Sequence, residues 1–238
     1  MPKKRISVFL AHSGIASRRA CENIVLEGRV KVNGEVIRDL STRICAGDKV
    51  EIDGKPVNTI CENISVALNK PCGYLCSVRD DFKRKTVMEL LGGISRRLYP
   101  AGRLDCNSRG LLILTNDGEL AYKITHPSFK IPKTYLVKIK GIISGKDFTA
   151  LSRGFEIEGR IFKPLELEKT DKKENSFDSF NKIKIAEGRK RIIRKAFASL
   201  GYKVDDLKRV QIGNFKLGSL KEGTYKILKA EDLEELLQ

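Results

Sequence analysis

Histidine is almost absent from this sequence, which has only His12 and His126 among its 238 residues. The six cysteines, at positions 21, 45, 61, 72, 76 and 106, show no disulfide-like spacing and include no CxxC pair. The CGYLC segment at 72–76 lacks a second pair that would complete a tetrahedral set of ligands. The sequence therefore predicts structural or incidental thiols and no metal site.

Long apolar runs are also missing, and none reaches the roughly 18 residues that a membrane helix needs. The N-terminus MPKKRISVFLAHSG is basic but lacks the apolar stretch and the small-residue cleavage site of a signal peptide. We therefore expect a cytoplasmic protein without a membrane partner. Its 41% of hydrophobic residues suffice for one medium domain and a small one.

Acidic residues are outnumbered, because 46 Lys and Arg face 30 Asp and Glu and leave a net charge of +16. Such an excess makes a polyanion the leading partner, with nucleic acid the usual one. An excess of positive charge also promotes solubility or binding to a membrane surface, so the location of the charge in the chain is more informative than its total. It concentrates at 182–209, where 10 basic residues face 3 acidic ones, a net +7.

The first 60 residues predict a small helical and hairpin domain. Ser17 is a suitable N-cap for the helix SRRACENIVLEG, and Gly28 is a suitable end. In RVKVNGEVI, Asn33-Gly34 is the dipeptide best suited to a two-residue hairpin turn. Asp53-Gly54 predicts another turn after a strand that contains Val50 and Ile52.

The stretch SGIASRRACENIVLEGRVKVNGEVI resembles the S4 RNA-binding domain. That resemblance implies that Ser17, Arg18 and Arg19 face RNA backbone, where guanidinium groups bind phosphate oxygens in a bidentate manner. The alternative is that these arginines merely solvate the first turn of a helix.

Residues 61–238 predict an α+β domain with a mixed, mainly antiparallel sheet. Apolar periodicity predicts strands in ISVALNKP, LLILT and KTYLVKIKG, a helix opened by Asp117, and a basic helix in RKRIIRKAFASLGY that ends at Gly201. The polar segment KTDKKENSFDS at 169–179 predicts a flexible loop. His126, in THPSF, follows a helix end and is expected to be structural.

The segment GRLDCNSRG at 102–110 places Asp105 between Arg103 and Arg109 in a glycine-bounded loop before the strand LLILT. Two interpretations are open at this point. The three side chains form a solvated loop with ion pairs of little energetic value, or Asp105 is a catalytic acid held by fixed cations.

Four motifs in this order, GRLD, GLLILTNDGEL, KTYLVKIKG and EGRKRIIRKAF, resemble the pseudouridine synthases that carry an S4 domain and modify ribosomal RNA. The resemblance implies that Asp105 is the essential acid and that Tyr135 stacks on the target uracil. It also implies that Arg194 pairs with the catalytic carboxylate and that Leu207 lines the pocket.

Three more arginines are candidates for contact with the substrate. Arg103 adjoins the catalytic acid, and Arg189 and Arg191 lie in the basic run and rival Arg194 as partners of Asp105. Where related sequences usually have glutamine this chain has Ile192, a departure that affects substrate contacts more than chemistry.

The implied reaction needs no cofactor, since it breaks the C1′–N1 bond of uridine, turns the base and joins C5 to C1′ without redox or phosphate chemistry. The carboxylate attacks the ribose or the base, or removes a sugar proton, and the sequence does not choose among these routes. The uridine must leave the helical stack, at a cost of about a few kcal/mol.

The expected function is isomerisation of a uridine in ribosomal RNA, with large-subunit (23S) RNA preferred and small-subunit (16S) RNA the alternative. The expected partner is ribosomal RNA or an assembling ribosomal subunit, and the protein is expected to be a monomer. A non-catalytic RNA-binding protein of ribosome assembly and a general nucleic-acid-binding protein are the rival interpretations.

Overall fold

The structure is a computed structural model that describes residues 3–57, 62–170 and 178–238. The chain divides into two compact units, Met1–Asn63 and Ile64–Gln238. Among the described residues, no helix is long and apolar enough to cross a membrane.

The first unit combines two short helices with small antiparallel sheets. Its elements are β1 (Lys4–Arg5), α1 (Ile6–His12), α2 (Arg18–Leu26), β2 (Val30–Val32), β3 (Glu35–Ile37), β4 (Arg43–Ile44), β5 (Val50–Ile52) and β6 (Lys55–Pro56). The order β3-β2-β5-β6 forms one sheet, and β1 pairs with β4. Ile6, Leu10, Cys21, Val25 and Val30 are buried in its core.

Local sequence explains this unit well. The Ser17 hydroxyl accepts a hydrogen bond from the amide of Ala20 and caps α2 as predicted. Asn33 and Gly34 both have positive φ, 51° and 90°, as a two-residue turn of the hairpin type requires. Asp53 and Gly54 repeat the pattern between β5 and β6.

The second unit is built on a large sheet. Its strands are β7 (Ser65–Lys70), β8 (Tyr99–Ala101), β9 (Arg109–Thr115), β10 (Lys133–Lys140), β11 (Phe155–Ile157), β12 (Arg160–Phe162), β13 (Glu166–Thr170), β14 (Asp178–Ile185), β15 (Val204–Ile212), β16 (Phe215–Lys216) and β17 (Tyr225–Ile227). Its helices are α3 (Gly118–Thr125), α4 (Gly145–Arg153), α5 (Ile192–Ser199) and α6 (Ala230–Leu237), with 3-10 turns at Val87–Leu90 and Pro127–Phe129.

The strand order of the large sheet is β13-β14-β10-β15-β9-β7-β17, with β16 added to β15 and β8 added to β9. The β15–β9 pair is parallel, whereas the other described pairs of this sheet are antiparallel. The predicted α+β class with a mixed, mainly antiparallel sheet is therefore confirmed. Residues 171–177 of the predicted polar loop lie outside the described residues.

Three apolar cores surround the sheet. The α5 core packs Ile193 and Phe197 against Val137 and Ile183, and the α3 core contains Leu111 and Ile113. The β7 core contains Leu68, Leu98, Leu104, Leu112 and Leu114. Alternate residues of β9 thus enter different cores, so this strand is buried on both faces and its sequence is a continuous apolar run.

Candidate active site

Asp105 lies in the loop that joins β8 to β9, which we call the Asp105 loop (residues 102–108). Leu104, which directly precedes Asp105 within this loop, is only 7% exposed and packs in the β7 core. The Leu104 amide donates to the sulfur of Cys76 at 3.2 Å. The Asp105 side chain is exposed. Leu104 therefore anchors the loop in the β7 core, while the Asp105 carboxylate faces solvent.

Lys70 holds the other side of this loop. Its side chain is completely buried, and its Nζ donates to the carbonyl oxygens of Ser108 at 2.7 Å, Asp105 at 3.2 Å and Cys106 at 3.3 Å. A further contact, at 3.0 Å, goes to the carbonyl of Pro71. Four carbonyl oxygens thus surround one ammonium group, which fixes the loop backbone at Asp105 and directly after it.

Burial also changes the titration of the groups beneath the loop. Desolvation lowers the pKa of Lys70, and the nearby Cys76, Cys72 and Cys106 thiols and Asp105 partly oppose this shift. Burial raises the pKa of the Cys76 thiol, so this sulfur stays protonated at neutral pH. Cys76 therefore serves as a packing and hydrogen-bonding group beside the loop.

Arg194, on α5, reaches the far end of the same loop. Its guanidinium donates to the carbonyl of Asn107 at 2.8 Å and to that of Val204 at 2.7 Å. Both contacts go to backbone oxygens, and none among the described residues goes to the Asp105 carboxylate. The predicted pairing of Arg194 with Asp105 stays a prediction. The carbonyl that Arg194 binds belongs to Asn107, which follows Asp105 by two residues.

Tyr135 and Leu207 lie on adjacent strands of the sheet. The Tyr135 ring is partly buried and packs against both the α5 core and the β7 core, which contains Leu104. Leu207, on β15, is 5% exposed and faces Val137 across the β10–β15 pair. The structure thus brings Tyr135 to the core that supports the Asp105 loop.

Arg109 does not face Asp105. Its guanidinium donates to Asp206, with the shortest contact at 2.7 Å, and to Glu222 at 3.1 Å. These two carboxylates raise its pKa further above the normal range. The interpretation in which Asp105 lies between two fixed cations is therefore wrong for Arg109, because its partners come from β15 and a distant loop.

Arg209 and Gly110 meet where β9 and β15 run parallel. A Cβ atom on Gly110 would lie 2.2 Å from the carbonyl oxygen of Arg209, and Gly110 has a φ of 103°. Arg209 is 4% exposed, and its Nε donates to the carbonyl of Leu111 at 2.7 Å. Glycine is therefore required where the Asp105 loop enters the sheet.

The remaining arginines predicted to contact substrate differ in their freedom. Arg189 is engaged by the Glu187 carboxylate and by carbonyl oxygens of the β11–β12 hairpin, such as that of Ile157 at 3.1 Å. Arg103 and Arg191 are exposed, and Arg191 precedes α5 in the left-handed region. In the first unit, Arg18 pairs with Glu22 at 3.1 Å. Arg19 and Ser17 are exposed there, and Ser17 is the helix cap.

Sequence reasoning assigned no role to Lys70, Arg209 or Asp206. One signal was present, since Lys70 ends a strand, SVALNK, that is otherwise rich in apolar residues. A cation at a buried strand end must find several acceptors, and a nearby loop rich in carbonyl groups supplies them.

Comparison with known proteins agrees with this architecture. The family described as RNA pseudouridylate synthase matches residues 64–199, and the S4 domain family matches residues 4–50. These two matches define an RNA-modifying isomerase with an appended S4 domain. The chain belongs to the RNA pseudouridine synthase family, and it isomerises uridine in RNA.

Two curated relatives and a solved structure extend over almost the whole chain. An uncharacterized RNA pseudouridine synthase of Aquifex aeolicus is 42% identical and covers 100% of this chain and 95% of its own length. The ribosomal large subunit pseudouridine synthase B of Bacillus subtilis is 37% identical over 98% of this chain and 95% of its own. A crystal structure of a pseudouridylate synthase has a TM-score of 0.69, 32% identity, and coverage of 98% and 99%.

Proposed function

We propose that this protein isomerises a specific uridine of large-subunit (23S) ribosomal RNA, with Asp105 as the catalytic acid. The observation that carries the proposal is the support of the Asp105 loop. Lys70 and Arg194 bind its backbone carbonyls from two sides, so that the exposed carboxylate is held without being neutralised by an ion pair. A carboxylate held in this way is suited to contact a flipped nucleotide.

The proposed chemistry conserves every atom of the uridine. The C1′–N1 bond breaks, the uracil turns, C5 bonds to C1′, and the hydrogen on C5 leaves as a proton while N1 gains one. Asp105 initiates the sequence by attack on the ribose or the base, or by removal of a sugar proton. Tyr135 provides the face against which the detached uracil stays stacked, and Leu207 closes the apolar side of the pocket.

Arg194 has a second proposed role besides positioning. When the target nucleotide is bound, its guanidinium is proposed to turn from the Asn107 carbonyl and pair with the Asp105 carboxylate. Ser17, Arg18, Arg19, Arg103 and Arg191 are proposed to hold RNA backbone. Arg189 is proposed to act through the β11–β12 hairpin that it binds.

The substrate class is proposed from the similarity to the Bacillus subtilis enzyme, whose name specifies the large ribosomal subunit. Small-subunit (16S) RNA is the alternative substrate. The form recognised is proposed to be ribosomal RNA or an assembling subunit, met by a monomer in the cytoplasm.

The test is pseudouridine mapping by carbodiimide modification and primer extension on ribosomal RNA from cells that lack this protein. Purified wild type is added to naked large-subunit RNA, naked small-subunit RNA and immature subunits. A new stop in large-subunit RNA is expected. A stop confined to small-subunit RNA would show that small-subunit RNA, and not large-subunit RNA, is the substrate. No stop in any of these RNAs would reject a ribosomal substrate.

A further inference from the structure

An exposed aromatic cluster lies at the end of α3, in residues that the proposed chemistry does not use. We call Tyr122, His126 and Phe129 the α3 aromatic cluster. The ring centroids of Tyr122 and His126 are 4.6 Å apart, and those of Tyr122 and Phe129 are 5.6 Å apart. Tyr122 is 52% exposed and Phe129 is 43% exposed. Water therefore covers much of two large aromatic side chains.

The backbone holds these rings in place. The His126 amide donates to the carbonyl of Tyr122 at 2.8 Å, and the Ser128 amide donates to Nδ1 of His126 at 3.3 Å. Pro127 begins the 3-10 turn that carries Phe129, and Lys130 ends it with a φ of 50°. Little conformational freedom remains to be lost on binding, so the cluster is preorganised for a flat ligand.

The cluster adjoins the Asp105 loop. A Cβ atom on Gly102 would lie 3.4 Å from the side-chain methyl of Thr125, the last residue of α3. Gly102 begins the loop, and Asp105 follows three residues later. The turn that carries His126 and Phe129 therefore starts beside the backbone that presents the catalytic acid.

Unpaired cations accompany the rings. Arg103 and Lys130 are exposed, and neither side chain has a hydrogen bond or ion pair with another of the described residues. Exposed aromatic faces next to free cations are the combination on which single-stranded nucleic acid binds, by base stacking and phosphate contact. A second copy of this chain is a poorer partner than RNA for these cations, since each copy carries a net charge of +16.

We propose that the α3 aromatic cluster is a second RNA contact that stacks an unpaired base flanking the target uridine. The inference rests on the proposed function, because it assigns to the same RNA a contact beside the reacting nucleotide. Tyr122 and Phe129 supply the stacking faces. Arg103 and Lys130 bind the phosphates on either side of the stacked base.

The absence of tryptophan from the chain allows a direct test. Tyr122→Trp keeps an aromatic face and adds a single fluorophore, and Ile227→Trp, at a site with 54% exposure, is the matched control. Each full-length protein is titrated with a single-stranded oligoadenylate of about 12 nucleotides and with a duplex of the same length. The single strand is expected to quench the Tyr122→Trp protein, whereas the duplex and the control protein show no quenching.

Affinity supplies a second measurement. The double substitution Tyr122→Ala and Phe129→Ala is expected to weaken single-strand binding about 5- to 150-fold, the factor associated with one stacked base. Ile227→Ala should leave binding unchanged. Because stacking involves no counterion release, the salt dependence of binding should keep its slope in the double variant, whereas Arg103→Ala should lower it by about one.

Failures of this inference and of the proposed function can be told apart, since the titration requires no ribosomal target. Single-strand binding that leaves the Tyr122→Trp protein unquenched, or an unchanged affinity of the double variant, would overturn the stacking role even if ribosomal RNA is isomerised. Quenching together with inactivity on ribosomal RNA would uphold the stacking role and reject the proposed substrate.

Discussion

Replacement of Lys70 by methionine tests the support of the Asp105 loop. Methionine nearly conserves the length and volume of the side chain but removes its three donors. Four carbonyl oxygens within 3.3 Å would then lose the ammonium group. Each hydrogen bond to a charged group contributes about 1.5–3 kcal/mol, while burial of the cation costs several kcal/mol.

The net loss expected for Lys70→Met is about 3–5 kcal/mol in the free energy of unfolding, as for other broken buried polar networks. The catalytic effect should be larger than stability alone implies. A shift of about 1 Å in the Asp105 loop costs roughly 100-fold in rate. We therefore expect the single-turnover rate at saturating RNA to fall about 100-fold at a temperature where the variant is folded.

The assay combines urea unfolding with single-turnover tritium release, and Lys184→Met is the matched control. Lys184 forms a surface ion pair with Glu166 at 2.8 Å, and its loss should cost no more than about 1 kcal/mol. A Lys70→Met protein with wild-type stability and rate would refute the claim that this ammonium group positions the loop.

Three further predictions concern other parts of the second unit. Arg194→Gln should lower the single-turnover rate about 100-fold while RNA affinity changes little, because its bond to the Asn107 carbonyl positions the loop; an intact rate with weakened affinity would contradict this role. Gly110→Ala should lower the free energy of unfolding by more than about 4 kcal/mol, since its Cβ would lie 2.2 Å from the Arg209 carbonyl oxygen. An unchanged midpoint of urea unfolding would contradict this close approach. Burial, and next the charge of Arg209, lower the pKa of Lys133 from 10.5 to about 8, so between these pH values the unfolded chain holds a proton that the folded chain has lost. Between pH 7.5 and 10, the free energy of unfolding of wild type should therefore rise by about 2 kcal/mol relative to that of Lys133→Met. A difference between the two proteins that stays constant over this pH range, measured by urea unfolding, would contradict the lowered pKa.

Features set by neighbours in sequence were predictable. Ser17 and Asp117 cap the helices that they were expected to open, and Asn33-Gly34 adopts the two positive φ values of its turn. In each case the side chain or the backbone preference acts within four residues, so no tertiary contact is needed to determine the result. The alternation in KTYLVKIKG likewise placed Val137 and Ile139 in one core.

Pairings across the sheet were not predictable from local pattern. Arg109 finds Asp206 and Glu222 because β15 and a distant loop lie beside β9, and these partners are 97 and 113 residues away in sequence. Lys70 reaches the Asp105 loop because β7 pairs with β9, which fixes the position of the loop that precedes β9. Sequence spacing alone contains no information on such registers.

The basic segment 182–209 shows how charge counts mislead. Lys182, Lys184, Arg189 and Lys195 pair with glutamates, and Arg194 and Arg209 bind backbone carbonyls. The free positive charge of this segment is therefore much smaller than its net +7, because Glu158, Glu166 and Glu168 come from outside it. Lys190, Arg191, Lys203 and Lys208 are the better candidates there for phosphate contact.

Release of tritium from RNA labelled at uridine C5 tests whether Asp105 performs the chemistry. Wild type, Asp105→Asn and the control Asp205→Asn, which changes an exposed aspartate on β15, are compared at equal RNA occupancy. We expect release by wild type and by Asp205→Asn and none by Asp105→Asn. Release by Asp105→Asn at the wild-type rate would contradict a catalytic role for Asp105.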